Sequence, residues 1–434
     1  MNTRKTLCIG ENNHLTIGGK DVSDLVKEYG SPLYVMDEEF LEDICKVFHD
    51  SLFLHYGKGM VSYASKAFCC KEIYRLINKF GLGADVVSQG EYLTAEAAGF
   101  PLDKVIYHGN NKLRSEIEYA IKNGIAYFVI DSLAEVDVID ELSALYNKKT
   151  DVLIRVNPGV EAHTHHYIQT AKVDSKFGFS ISNGDAEDAI NYVLNKRNLN
   201  LCGLHCHIGS QIFEIKSFLL AVEKMTDFYK YILDKLGVTF SVLDLGGGFG
   251  IWYNEDDKKF TLSDYADYIA KICDKLSECI KNKNLEKPFL ILEPGRSIVG
   301  EAGITLYTVG NVKSIKGVKD YIAIDGGMFE NPRYALYQAK YTVVAAEKMN
   351  LPCDKLYSIA GKCCESGDLI ADGVLLPKIN NGDILAVLST GAYNYSMASN
   401  YNRNPVPGVV FVKNEKSRYV VKPQDYRDIL RNDI

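Results

Sequence analysis

The stretch MVSYASKAF, residues 60–68, places one amine, Lys66, at the end of an otherwise apolar or small-residue run. Such a run reads as a buried strand, where an ionisable group is costly unless it is paired or put to use. Three other stretches carry reactive types in similar places. In LHCHIGS (204–210), His205 and His207 alternate along a strand and so share one face. They read as a metal pair, as a flat surface for an aromatic ligand, or as hydrogen-bonded core histidines. In DLGGGFG (244–250), three glycines follow an apolar run. Glycine lets the backbone turn freely and lets N–H groups close on an anion, although a tight turn alone would ask for the same residues. In LILEPGRS (290–297), Glu293 ends a strand, Pro294 and Gly295 turn the chain, and Arg296 follows. The carboxylate could neutralise a protonated ring nitrogen and the guanidinium could clamp a carboxylate; an ion pair between the two is the plainer alternative.

These side chains need a frame. MVSYASKA, GADVVS, VIYHGNN, AYFVIDS, DVLIRVNPG, CGLHCHIGS, FSVLDLGGGFG and PFLILEPGR are short apolar runs separated by amphipathic helical stretches such as KEIYRLINKF and SDYADYIAKICDKLSECI. Strands of this kind alternating with helices predict a parallel sheet covered by helices. Eight of them predict a (β/α)8 barrel over residues 36–303, with a doubly wound open sheet as the rival. Past residue 303 the strands follow one another with few helices, which predicts an antiparallel β domain over 304–434, completed by strand-like residues 1–35. Barrel chemistry sits where strands end. There the sequence puts Lys66, Asp85, His108, Asn110, Asp131, Arg155, Asn157, His205, His207, Ser210, Asp244, Glu293 and Arg296.

Bulk properties exclude several classes. A net charge of −7 makes nucleic acid and anionic membranes poor partners. No run is long and apolar enough to span a bilayer, and MNTRKTLCIGENNH lacks the apolar stretch of a signal peptide, so a cytoplasmic protein is expected. The 11 cysteines show no regular framework and no zinc-type C-x-x-C pair, which fits reduced thiols. The glycines of 246–248 do not form the G-x-G-x-x-G fingerprint, so a dinucleotide is not favoured. A metal-dependent barrel hydrolase would need further imidazoles, and no histidine lies beyond 207. HTHH at 163–166 reads as a loop over the barrel mouth, and no metal is expected.

One cofactor uses all four stretches. Pyridoxal 5'-phosphate needs a lysine amine for its Schiff base, an anion cradle, a flat group against its ring and a partner for its ring nitrogen. Lys66, the three glycines, His207 and Glu293 supply these in turn. An acidic partner keeps the pyridine protonated and suits the ring to carbanion stabilisation, which favours decarboxylation.

The ordered set YASKA, GADVVSQGE, HGNNK, RVNPGV, HTHHYIQT, SKFG, HCHIGSQ, DLGGGFGI, EPGRSIVGEAG, CCESGD and GAYNYSMASNYN resembles the barrel-type pyridoxal phosphate decarboxylases, and among them the diaminopimelate decarboxylase family, from about residue 30 to 412. The resemblance implies conversion of meso-2,6-diaminopimelate to L-lysine and carbon dioxide, the last step of lysine biosynthesis. It implies that Lys66 binds the cofactor covalently, that His207 stacks on the ring and that Ser210 helps to hold the phosphate. Gly247, Gly248, Glu293, Gly295 and Arg296 would complete the phosphate and ring-nitrogen contacts, with Tyr393 reaching phosphate or substrate. Asp85 and Arg155 would stand behind Lys66 and the ring. It further implies a homodimer in which Cys364, the proton donor, and Glu365 come from the neighbouring subunit. The distal end of the substrate carries an ammonium and a carboxylate; Glu365 would take the first, and Arg296 and Arg333 with Tyr337 the second. Ornithine would leave two arginines without an anion. Lys362, Cys363 and Ala171 depart from the usual family pattern without removing a group the chemistry needs. The alternatives are a decarboxylase for carboxynorspermidine or ornithine, and a non-catalytic pyridoxal phosphate carrier.

Overall fold

The computed structural model describes residues 5–160 and 176–434. The chain divides into two compact units, one of residues 44–250 with 260–297, the other of residues 1–43, 251–259 and 298–434. The HTHH motif, Ala171 and Ser175 lie outside the described residues.

The first unit is a closed parallel barrel. Its strands are β1 (Gly59–Ala64), β2 (Gly83–Val86), β3 (Val105–Tyr107), β4 (Tyr127–Ile130), β5 (Thr150–Asn157), β6 (Leu199–His205), β7 (Val242–Asp244) and β8 (Phe289–Leu292). Each pairs in parallel with the next, and β8 pairs with β1. All eight expected strands are present, and closure decides against the open sheet. The connections carry helices α1 (Lys71–Lys79), α2 (Gln89–Ala97), α3 (Arg114–Asn123), α4 (Leu133–Leu145), α5 (Asp185–Leu194), α6 (Ile215–Leu236) and α7 (Leu262–Asn282). In α7, Tyr265, Tyr268, Ile269, Ile272, Cys273, Leu276 and Cys279 are buried at helical spacing. Its start is fixed by Thr261, whose hydroxyl accepts from the Asp264 N–H at 3.2 Å while Asp264 accepts from the Thr261 N–H at 2.7 Å.

The barrel interior is packed, not hollow. Ile106, Val129, Leu153, Cys202, Val242 and Ile291, from six strands, form one buried cluster joined by Met60 on β1. This plug is the floor on which the polar strand ends stand.

The second unit is a mixed sheet. Its strands run in the order Leu369–Leu376, Lys355–Ala360, Lys319–Ile324, Gly303–Ile315, Leu33–Asp37, Val409–Lys413, Lys416–Val421. Two of these pairs are parallel, Lys319–Ile324 with Lys355–Ala360 and Leu33–Asp37 with Val409–Lys413. The expected β domain is present and its other pairs are antiparallel; the two parallel pairs were not visible in the sequence, because alternation marks a half-buried strand but does not say which way its neighbour runs. Leu33–Asp37 joins this sheet, and Leu7–Ile9, Leu15–Ile17 and Lys20–Asp21 make a separate small one. The 13-residue strand Gly303–Ile315 serves three partners along its length, Leu33–Asp37 and Ile384–Leu388 on its first half and Lys319–Ile324 at its end. Among the described residues no helix is long and apolar enough to cross a membrane.

Candidate active site

Lys66 does not lie on β1. The strand stops at Ala64 and Lys66 stands on a single 3-10 turn, Ser65–Ala67. Its neighbours Ser65 and Ala67 are buried while Lys66 is exposed. The turn is pinned from below and from the side. Tyr74 of α1 donates to the Ser65 hydroxyl at 2.8 Å, and the Ala64 N–H donates to the Pro294 carbonyl at 3.2 Å. Gly295 fits because a methyl group there would come within 2.8 Å of the Ala64 Cβ and 3.2 Å of the Ala67 Cβ. The Glu293–Pro294–Gly295 turn thus packs directly against the turn that presents the amine.

Glu293 follows β8 and is buried. Its Oε2 lies 3.2 Å from His205 Nε2, and its Oε1 lies 2.7 Å from His108 Nε2. The first contact is an aligned hydrogen bond; the second is an ion-pair contact without that alignment. Burial works against the Glu293 charge, but the two imidazoles outweigh it and hold the carboxyl well below the ordinary carboxylate range. Asp244, at the end of β7, behaves oppositely. Burial, reinforced by the Glu293 charge, pushes its carboxyl well above that range. Its Oδ1 accepts from the Gly246 N–H at 2.8 Å. The barrel mouth therefore holds two neighbouring buried carboxyls that their surroundings push in opposite directions. Asp85 is raised by burial, against the charges of His108, Lys66 and Arg155.

His207 lies beyond β6, which ends at His205, so strand alternation does not relate the two rings as the sequence suggested. The Gly247 N–H donates to His207 Nδ1 at 3.3 Å. Burial, followed by the charges of Lys66 and Arg155, lowers this imidazole well below its ordinary value, so it is neutral with its proton on Nε2. The glycines around it are required sterically: a methyl group on Gly247 would meet the Glu293 carbonyl at 2.0 Å, and one on Gly248, at φ 113°, the Gly209 carbonyl at 2.5 Å. Ser210 accepts from Arg296 Nε at 3.2 Å and from its terminal nitrogen at 2.9 Å. Arg155, half-buried near the end of β5, lies 3.9 Å from Asp131 and covers the Phe177 ring at 4.5 Å.

His108, His205, Asp244 and Glu293 bring ligand-type atoms within 4.8 Å of one another. Two of these contacts join an imidazole nitrogen to a Glu293 oxygen, His205 Nε2 with Oε2 at 3.2 Å and His108 Nε2 with Oε1 at 2.7 Å. The same set fits pyridoxal phosphate: an exposed amine, a glycine stretch with no room for side chains, a neutral imidazole and an ionised buried carboxylate. Asp85 Oδ1 and Asp244 Oδ2 are buried without an aligned hydrogen-bond partner, a polar surplus that a polar ligand would meet.

The remaining sequence candidates belong to the second unit. Arg333 opens the short helix Arg333–Tyr337 and is buried; it donates to Tyr341 at 2.6 Å and Tyr253 at 3.1 Å and covers both rings. Tyr337 ends that helix and is 45% exposed. Cys364 and Glu365 are exposed. Their loop is held from its backbone: the Cys364 N–H donates to Asn402 at 2.8 Å, and buried Asp368 accepts from the N–H groups of Cys363 at 2.7 Å and Met328 at 2.6 Å. Tyr393 takes a left-handed backbone, φ 63°. Asp368, Tyr253 and Tyr341 went unnoticed in the sequence because nothing in their local pattern separates them from ordinary loop and core residues. His108, His205 and Asp244 showed one signal, ionisable types at strand ends.

Known proteins accord with this geometry. Residues 42–300 match the pyridoxal binding domain of the pyridoxal-dependent decarboxylases. The chain is 46% identical to diaminopimelate decarboxylase of Bacillus subtilis, covering 98% of this chain and 96% of that one. It is 44% identical to the Staphylococcus aureus enzyme of the same name, over 99% of each. Diaminopimelate decarboxylase of M. jannaschii, solved in complex with L-lysine, superposes with a TM-score of 0.91 at 35% identity, covering 99% of this chain and 98% of that one. With its closed barrel and its lysine, glycine and glutamate turns in family order, the chain belongs to the pyridoxal-dependent decarboxylases and, among them, to the diaminopimelate decarboxylase family.

Proposed function

We propose that this protein converts meso-2,6-diaminopimelate to L-lysine and carbon dioxide with pyridoxal 5'-phosphate. The observation that carries the reading is the pairing of two adjacent turns, one presenting the exposed Lys66 amine and the other the buried, ionised Glu293. When bound, the cofactor supplies an electron-accepting ring to which the substrate nitrogen is joined, and this makes loss of the carboxylate from Cα feasible.

The chain's own groups then have distinct tasks. Lys66 attaches the cofactor, and Gly247, Gly248, Ser210, Gly295 and Arg296 make room for its phosphate and hold it. His207, neutral and fixed by the Gly247 N–H, offers its face to the ring. Glu293 keeps a negative charge opposite the ring nitrogen, and Asp85 and Arg155 set the potential around Lys66. A buried surround strengthens each of these electrostatic contacts. Cys364 delivers the proton that replaces the carboxylate at Cα. Glu365 takes the distal ammonium, Arg333, Arg296 and Tyr337 the distal carboxylate, and Tyr393 the phosphate or substrate. We further propose a homodimer in which the partner subunit provides the Cys364–Glu365 loop; the exposure of both side chains on the single chain supports this.

Incubation with meso-diaminopimelate, and separately with ornithine, tests the reading. Lysine and carbon dioxide should form from the first, with little turnover of the second. A diamine from ornithine at comparable kcat/KM would point to a basic amino acid decarboxylase, and cofactor uptake without carbon dioxide release to a carrier.

A further inference from the structure

We propose that His205 is a positioning residue for Glu293, with His108 as its counterpart on the other carboxylate oxygen. The inference rests on the reading of Glu293 as the partner of the cofactor's ring nitrogen and assigns how that carboxylate is held. Glu293 stands just past β8, ahead of a Pro–Gly turn. The two imidazoles come from elsewhere in the barrel. His205 is the last residue of β6 and His108 follows β3, and their Nε2 atoms meet Oε2 at 3.2 Å and Oε1 at 2.7 Å. The rings stand edge to face at 4.9 Å, so each limits the other's rotation. All three residues are buried.

The choice of imidazole has a physical consequence. His205 is buried and neutral, and by donating Nε2–H it orients the carboxylate without cancelling its charge. A guanidinium in the same place would neutralise the group that must face a protonated ring nitrogen. Burial, reinforced by the Glu293 charge, pushes the neighbouring Asp244 toward its protonated form. Glu293 thus presents its carboxylate in a direction fixed by two imidazoles.

The test uses His205→Leu and His205→Gln, the latter placing an amide N–H near the position of Nε2. The readouts are the dissociation constant of pyridoxal phosphate and the pH dependence of the bound cofactor's visible absorbance, with circular dichroism to follow folding. His205→Leu should weaken cofactor binding by about tenfold or more and shift the absorbance profile, and His205→Gln should recover most of both. Combined with Glu293→Gln, His205→Leu should add little, since both act through one carboxylate. Unchanged affinity and profile in His205→Leu, or losses that add fully in the double variant, overturn the proposal. Should His205→Leu fail to fold, His108→Leu and His108→Gln carry the same comparison with the same two outcomes. If wild-type protein itself takes up no cofactor, the reading of the whole site fails, which is distinct from a wild type that binds and a His205→Leu that binds equally well.

Discussion

The two units differ in how they present most of their candidate residues, with exposed Lys66 in the barrel and buried Arg333 in the second unit as the exceptions. At the barrel mouth Asp85, His108, His205, Asp244, Glu293 and Arg296 are buried, and burial together with neighbouring charges pushes Asp85 and Asp244 up and Glu293 down. In the second unit Cys364, Glu365 and Tyr337 are exposed, and the loop carrying the first two is held by backbone contacts to Asn402 and Asp368. A cofactor that never leaves can be met by a preorganised, dehydrated constellation. A substrate that must enter and leave meets, in Cys364, Glu365 and Tyr337, side chains that are still wet. The barrel should therefore determine whether chemistry occurs, and the second unit which amino acid it occurs on.

The comparison breaks first at Lys66. Lys66→Ala should abolish turnover of every substrate and remove the covalent cofactor, whereas Glu365→Ala should retain the cofactor and mainly raise KM for meso-diaminopimelate; steady-state kinetics with absorbance distinguishes the two. Gly247→Ala comes next. A methyl group 2.0 Å from the Glu293 carbonyl forces the two turns apart, so cofactor affinity should fall at least tenfold, measured by equilibrium titration. Arg333→Met should raise KM more than it lowers kcat, with a loss of thermal stability because two buried phenols lose their donor.

A smaller effect tests pH in the second unit. Glu330 is fully buried and accepts from Tyr307 at 2.8 Å and from the Gly327 N–H at 3.0 Å; burial raises its carboxyl to about 8. A carboxyl raised on folding contributes stability that is complete below its unfolded value, near 4.5, and is lost as pH rises through the folded value. The melting temperature should fall between pH 4.5 and 8 by an amount corresponding to a few kcal/mol, and Glu330→Gln should flatten that slope. Smallest is Thr261→Ala, which removes the α7 cap and should cost about 1 kcal/mol in chemical denaturation without touching turnover.

Much of the barrel was legible because each strand is a continuous apolar run bounded by a turn signal, as in PFLILEPGR and FSVLDLGGG. Its chemistry was legible for the same reason: an ionisable residue at the end of such a run stands out. Finer placement was not. SKA carries no helix breaker or cap to show that Lys66 has left the strand for a 3-10 turn. His205 has the sequence signature of any core histidine, and its partner Glu293 is 88 residues away. In the second unit, the parallel pairing of Leu33–Asp37 with Val409–Lys413 joins segments nearly the whole chain apart, and alternation is blind to such pairing. Asp368 was equally hidden, since a loop aspartate collecting backbone N–H groups looks like any turn residue.

The central claim is that Lys66 carries the cofactor, and the most direct measurement is mass spectrometry of the holoenzyme after borohydride reduction and proteolysis. The account predicts one reduced pyridoxyl adduct per chain, on the peptide containing Lys66. An adduct on another lysine, or none from protein that turns over meso-diaminopimelate, would contradict it.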